Sequence, residues 1–252
     1  MILAAGVLVG CGRDGKFRDG SGRELRIVSL APSLTEIVCA LGAGDRLVGR
    51  SSACNYPPQI VERVPIIGGF GAPSLEMLAS VKPTLVLETD LEDELVGRKM
   101  DELGLKRRRI ECRKLEDIAG AVEEVGELAG RSQQAAALSS RIRADLARLR
   151  KQTGAQTVRP SVFVVIWHDP MTTAGRKSFL SEVVSLAGGR NLGDEVDADY
   201  FQVGDEWVVS RRPDIVLCLA MTTSGRVEAH LESRPGWKNI PAVTQGRVFN
   251  EI

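Results

Sequence analysis

Apolar residues follow two distinct patterns along this chain. Short solid runs, Arg26-Ile-Val-Ser-Leu-Ala31 and Ser161-Val-Phe-Val-Val-Ile166, read as strands. From Leu115 to Gln152 the pattern changes, with no proline and no strand signal. There Ile118, Val122, Val125 and Leu128, then Leu138, Ile142, Leu146 and Leu149, keep helical spacing. Gly130 divides the stretch into a shorter helix and a longer one of about 22 residues, roughly 33 Å at 1.5 Å per residue.

The two halves flanking this helical stretch repeat one another. Ser74-Leu-Glu-Met-Leu-Ala-Ser-Val-Lys-Pro-Thr-Leu-Val-Leu87 matches Gly204-Asp-Glu-Trp-Val-Val-Ser-Arg-Arg-Pro-Asp-Ile-Val-Leu217 at a constant offset, pairing Glu76 with Glu206, Ser80 with Ser210 and Pro83 with Pro213. Upstream, each strand is followed by a helix that ends in glycine, Leu41-Gly-Ala-Gly44 in one half and Leu186-Ala-Gly-Gly189 in the other. Ser33-Leu-Thr-Glu36 has the form of a capping box at the first of these helices. Closing strands are expected near Arg108–Cys112 and Arg247–Asn250. The fold class is therefore α/β: two similar lobes with mainly parallel sheets, joined by one long helix. The expected divisions are residues 1–25 as signal remnant and tether, 26–115 as the first lobe, 116–155 as the helical connector and 156–252 as the second lobe.

Composition removes several functions. Lys plus Arg and Asp plus Glu each total 33, so no net field draws the chain to nucleic acid. With only two histidines, His168 and His230, a zinc- or manganese-type cluster is short of ligands. The cysteines are Cys11, Cys39, Cys54, Cys112 and Cys218, and no C-x-x-C pair occurs. Cys39 and Cys218 read as small buried apolar residues, while Cys54 and Cys112 stand in polar surroundings that leave a disulfide open. Cys11 closes the apolar run Met1–Gly10, too short to cross a bilayer and shaped like a secretory signal ending in Leu8-Val9-Gly10-Cys11. That ending resembles a lipoprotein signal, which makes Cys11 the expected lipidation site.

Two facing α/β lobes gather the loops at the carboxyl ends of their strands around a cleft. Ser51–Pro58, Gly68–Pro73, Trp167–Ala174 and Asp197–Gln202 are the candidate loops, and they hold Tyr56, Phe70, Trp167, Tyr200 and Phe201. Such aromatics suit a large planar or apolar ligand, although Trp167 and Phe201 fit core packing equally well. His168, in Trp167-His-Asp-Pro170, is either an axial ligand to a bound metallocofactor or a hydrogen-bonded structural histidine. Glu76 and Glu206 invite a two-carboxylate hydrolase reading, but a glutamate in the first turn of a helix is favoured by the helix dipole alone. No Gly-x-Ser-x-Gly elbow or Walker loop is present.

Arg26-Ile-Val-Ser-Leu-Ala-Pro-Ser-Leu-Thr-Glu36, Asn55-Tyr-Pro-Pro58, Val64-Pro-Ile-Ile-Gly-Gly69, Thr173-Ala-Gly175 and Arg234-Pro-Gly-Trp-Lys-Asn-Ile-Pro241, with the Trp167 and glycine motifs above, strongly resemble ABC-transporter solute-binding proteins of the cobalamin and ferric-siderophore family, most of all its cobalamin branch. The resemblance runs from Arg26 to Phe249. It implies binding without chemistry, no resident cofactor and a monomer held outside the cytoplasmic membrane by its lipid anchor alone. It further implies a corrinoid ligand and an ABC permease dimer whose arginine pockets receive Glu76 and Glu206. Tyr56, Phe70 and Tyr200 match its ligand-lining aromatics, and Trp167, His168 and Thr172 complete the expected ligand set; Thr89 and Thr172 stand where larger groups are usual. A ferric siderophore or haem is the alternative ligand, for which Arg50, Arg176 and Lys177 are the available cations.

Overall fold

The computed structural model describes residues 22–89, 94–219, 231 and 233–250. They divide into two compact units, one drawn from Met1–Glu111 and Glu123–Ala135, the other from Cys112–Val122 and Ala136–Ile252.

In the first unit the chain runs β1 (Ile27–Ser29), α1 (Pro32–Ala40), β2 (Leu47–Arg50), α2 (Pro58–Arg63), a hairpin of β3 (Gly68–Gly69) and β4 (Ala72–Pro73), α3 (Leu75–Ser80), β5 (Leu85–Glu88), α4 (Glu94–Glu102) and β6 (Arg107–Arg109). Its main sheet is parallel throughout, in the order β2-β1-β5-β6. Every residue of β1 and β5 is buried, which is why these strands read as solid apolar runs instead of alternating ones. Val28, Leu30, Ile67, Leu78, Val86 and Met100 form the core.

The helical stretch contains α5 (Asp117–Leu128) and α6 (Ser132–Gly154), and the boundary between units falls inside both. Gly130 adopts φ 63° at the turn, where a side chain would be strained. The 23 residues of α6 make it about 35 Å long.

The second unit contains β7 (Ser161–Val165), β8 (Trp167–His168), β9 (Met171–Ala174), α7 (Phe179–Leu186), β10 (Arg190–Asn191), β11 (Tyr200–Gln202), α8 (Asp205–Arg211), β12 (Ile215–Cys218), α9 (Pro241–Thr244) and β13 (Val248–Phe249). Its main sheet, β10-β7-β12-β13, is again parallel. The fold is therefore α/β with parallel sheets and one long helix. The closing strands β6 and β13 exist but are shorter than their sequence patterns suggest.

The duplication extends to individual backbone contacts. The Arg26 amide donates to Thr84 Oγ1 at 2.8 Å and the Ser161 amide to Asp214 Oδ2 at 2.8 Å, each at the foot of the central strand pair. Lys82 and Arg212, at matching positions beyond α3 and α8, both take left-handed backbone (φ 46° and 48°) ahead of a proline.

One expected feature is corrected. Ser33 does not cap α1, because the helix begins earlier, at Pro32, behind Ala31, which makes no side-chain cap. Proline supplies a helical φ and has no amide to satisfy, so the first turn closes without a box. Thr35 turns inward instead, donating to Ser29 Oγ at 2.8 Å. True caps occur at Ser74 and Ser178, which accept from the amides of Met77 and Ser181.

Candidate functional site

Glu76 and Glu206 each lie in the first turn of their helix, α3 and α8, with the carboxylate exposed. Two residues further on, Leu78 and Val208 are both fully buried and pin the helices to their sheets. Among the described residues neither glutamate is held by an ion pair or side-chain hydrogen bond. The neighbouring Asp205 is used differently. Its Oδ1 accepts from Arg234 Nε at 2.6 Å and from Trp237 Nε1 at 2.8 Å, fixing the start of α8 and leaving Glu206 as the outward group.

Six residues before each glutamate stands an exposed aromatic, Phe70 in one unit and Tyr200 in the other. Phe70 is at the tip of the β3–β4 hairpin, where Gly68 pairs with Pro73 and Gly69 with Ala72. Gly68 itself has φ 146°, and a Cβ there would lie 2.6 Å from the Pro73 Cα, so the hairpin closes only on glycine. Tyr56 is 59% exposed, in the loop that leads into α2. Phe70 and Tyr200 share the constant offset that relates Glu76 to Glu206, so the repeat extends upstream of Ser74 and Gly204.

Beside the main sheet of the second unit lies a small antiparallel one, β11-β9-β8, that the sequence pattern did not reveal. Gln202 pairs with Thr172, Thr172 with Trp167, and Tyr200 with Ala174. Directly paired residues share a face, as do residues two apart. Trp167, Thr172, Gln202 and Tyr200 therefore form one surface, on which Trp167 and Tyr200 are about half exposed. The reverse face carries Met171, Thr173 and Phe201, the last packed edge-on against Trp207 at 5.9 Å. Phe201 is thus partly buried, against Trp207. His168 pairs with the buried Met171 through the backbone, but its ring lies beside Trp167, centroid to centroid 5.3 Å, and its carbonyl accepts from Arg234 Nη1.

Of the three cations available to an anionic ligand, Arg50 is buried and spent, whereas Arg176 and Lys177 are exposed and share a single carboxylate. Arg50 is buried at the end of β2, where it donates to the carbonyls of Val64 (3.0 Å), Cys54 (2.9 Å) and Val61 (3.0 Å). It ties down the loop that carries Tyr56. Arg176 and Lys177 both pair with Asp197 at 2.8 Å, and these two cations, Lys177 first, hold the Asp197 carboxyl below its usual range. Cys54 is a buried thiol between Thr35 Oγ1 and Ser51 Oγ. Among the described residues no group of three or more His, Cys, Asp or Glu side chains could hold a metal ion.

A family model described as periplasmic binding protein matches residues 27–250, nearly all of the described chain. The chain belongs to the periplasmic binding protein family. Two curated relatives of this binding protein extend the comparison. The vitamin B12-binding protein of Photorhabdus laumondii is 30% identical over 196 residues, covering 77% of this chain and 70% of the relative. An uncharacterised ABC transporter substrate-binding lipoprotein of Bacillus subtilis, YvrC, is 28% identical over 280 residues, covering 99% and 87%. Among solved structures, the periplasmic haem-binding protein RhuT of Roseiflexus sp. RS-1 in its apo form superposes with a TM-score of 0.80 at 27% identity, covering 89% and 88%. In the binding protein described here, no described helix is long and apolar enough to cross a membrane. Cys11 and His230 lie outside the described residues.

Proposed function

We propose that this binding protein is the extracytoplasmic solute-capturing component of an ABC importer, that its solute is a corrinoid, and that it docks on its permease through Glu76 and Glu206. One observation carries the reading: among the described residues, an exposed aromatic followed six residues later by an exposed first-turn glutamate occurs once in each unit, at Phe70/Glu76 and Tyr200/Glu206. A two-fold symmetric partner needs one equivalent contact from each copy of a duplicated chain. Arginine pockets on such a partner would form charge-assisted pairs with the two carboxylates, giving orientation and on-rate as well as affinity. Both glutamates are open to solvent, without the apolar enclosure that a carboxyl general acid uses, which favours docking over two-carboxylate hydrolysis.

The ligand-contacting set in this reading is Tyr56, Phe70, Trp167, Thr172 and Tyr200, with His168 beside Trp167. Support for a corrinoid comes from the relative named a vitamin B12-binding protein, and from the commitment of Arg50, Arg176 and Lys177 to internal partners. Haem is the second reading, favoured by the superposition on a haem-binding protein. Its propionates would have to compete with Asp197 for Arg176 and Lys177, since Arg50 is buried. Lipidation at Cys11 is part of the proposal, supported by the relative named a lipoprotein.

Calorimetric titration with cobinamide and with haemin separates the two ligands: saturable micromolar or tighter binding of cobinamide is expected, and haemin binding alone would transfer the assignment to haem. Charge reversal at both docking positions, Glu76→Lys with Glu206→Lys, is expected to abolish stimulation of permease ATPase activity while leaving ligand affinity unchanged. Full stimulation by that variant would remove the docking assignment.

A further inference from the structure

We infer that Gln202 is the side chain with which the second unit reads the rim of its ligand, favouring a flat ligand edged with carboxamides over one edged with carboxylates. This rests on the ligand site proposed above. The argument starts from register. Gln202, Thr172 and Trp167 lie abreast across three strands, a span of two strand spacings or about 10 Å, and Tyr200 stands about 7 Å along β11 from Gln202. A polar pair is therefore flanked by two exposed aromatics on one surface.

The hydrogen-bonding capacity of that surface is narrow. The Trp167 indole N–H is spent on the Asp169 carbonyl at 2.8 Å, so this ring offers its apolar body. Thr172 Oγ1 donates to the Pro170 carbonyl at 3.0 Å and keeps lone pairs only, as an acceptor. Gln202 is exposed and, among the described residues, its amide has no hydrogen-bond partner. It alone of the Trp167–Thr172–Gln202 row presents both two donors and an acceptor to an incoming group. Arg176 and Lys177, close by in the chain, are bound to Asp197. A carboxylate pressed onto this face would find no cation among Trp167, Thr172, Gln202 and Tyr200, whereas a primary amide would regain both kinds of hydrogen bond from Gln202 and Thr172. Neutral pairing of amide with amide is what the face is equipped to make.

The test uses the full chain with cobinamide, which is edged with carboxamides, and haemin, which carries carboxylates. Gln202→Leu keeps the size of the side chain on an exposed edge strand and is expected to melt as the unaltered protein does. It should weaken cobinamide about tenfold, the factor expected when a ligand amide is buried without a partner. Gln202→Lys should shift the ratio of haemin to cobinamide affinity toward haemin by at least that factor. Cobinamide affinity within twofold of the unaltered protein in Gln202→Leu would overturn the role of Gln202 and leave the ligand assignment standing. Absence of cobinamide binding by the unaltered protein would overturn both.

Discussion

Replacing Arg50 by methionine probes how the first unit holds its ligand loop. Methionine preserves the unbranched stem and removes the guanidinium that serves three carbonyls at 3.0, 2.9 and 3.0 Å, those of Val64, Cys54 and Val61, and a fourth, Ser51, at the longer distance of 3.4 Å. At about 1 kcal/mol for each carbonyl left unpaired, the loss is about 3 kcal/mol. Relief of the desolvation of a buried cation returns part of it, so a net destabilisation of roughly 2 kcal/mol is expected. For a protein of this size that corresponds to a fall in melting temperature of about 4–8 °C. The assay can localise the effect, because Trp167, Trp207 and Trp237 all belong to the second unit. Tryptophan fluorescence follows that unit, whereas far-UV circular dichroism follows both. Urea titration of the variant should show the dichroism midpoint moving down, and cobinamide affinity should drop with it as the Tyr56 loop loosens. A dichroism midpoint unchanged within error would refute the reasoning, since it would mean that the three carbonyls do not depend on Arg50.

Two further outcomes test other parts of the structure. Gly68→Ala places a Cβ 2.6 Å from the Pro73 Cα at a φ of 146°, so the β3–β4 hairpin must open; a loss of about 2 kcal/mol in urea unfolding is expected, with weaker ligand binding through the displaced Phe70. The Asp214 carboxyl is held below its usual range, first by the Ser161 amide, then by the Ser161 hydroxyl, with Arg247 adding a smaller part. Its folded pKa lies below the unfolded value of about 3.9, so its contribution is present above that pH and disappears as pH falls through the folded value. Melting temperature measured from pH 6 down to pH 2 should therefore decline less steeply below about pH 4 in Asp214→Asn than in the unaltered protein; parallel curves would remove Asp214 as a source of acid sensitivity.

How far the site was readable in advance differs residue by residue. Glu76 and Glu206 were placed by a repeat and by helix-start chemistry, both local in the chain, and the structure puts them on matching first turns. Ser33 was misplaced because Ser-x-x-Glu is a good box only where no proline begins the helix one residue earlier. As sequence, Arg50 is simply an available cation; nothing local shows that the carbonyls of residues 54, 61 and 64 converge on it. Phe201 and Trp167, indistinguishable as sequence, separate once strand pairing turns the first toward Trp207 and leaves the second half exposed.

Periodicity, proline and glycine positions and the internal repeat determined, without coordinates, that this is an α/β chain of two like halves with a long helix among them. Those signals are local, arising from backbone preferences and from which residues must leave water. Strand order, the shared face of Trp167, Thr172, Gln202 and Tyr200, and the capture of Arg176 and Lys177 by Asp197 were decided only in the folded molecule. The β8–β9 hairpin apart, each depends on contacts between segments some twenty to thirty residues or more apart. A one-residue slip in strand register would turn every such side chain to the other face, and no local pattern specifies it.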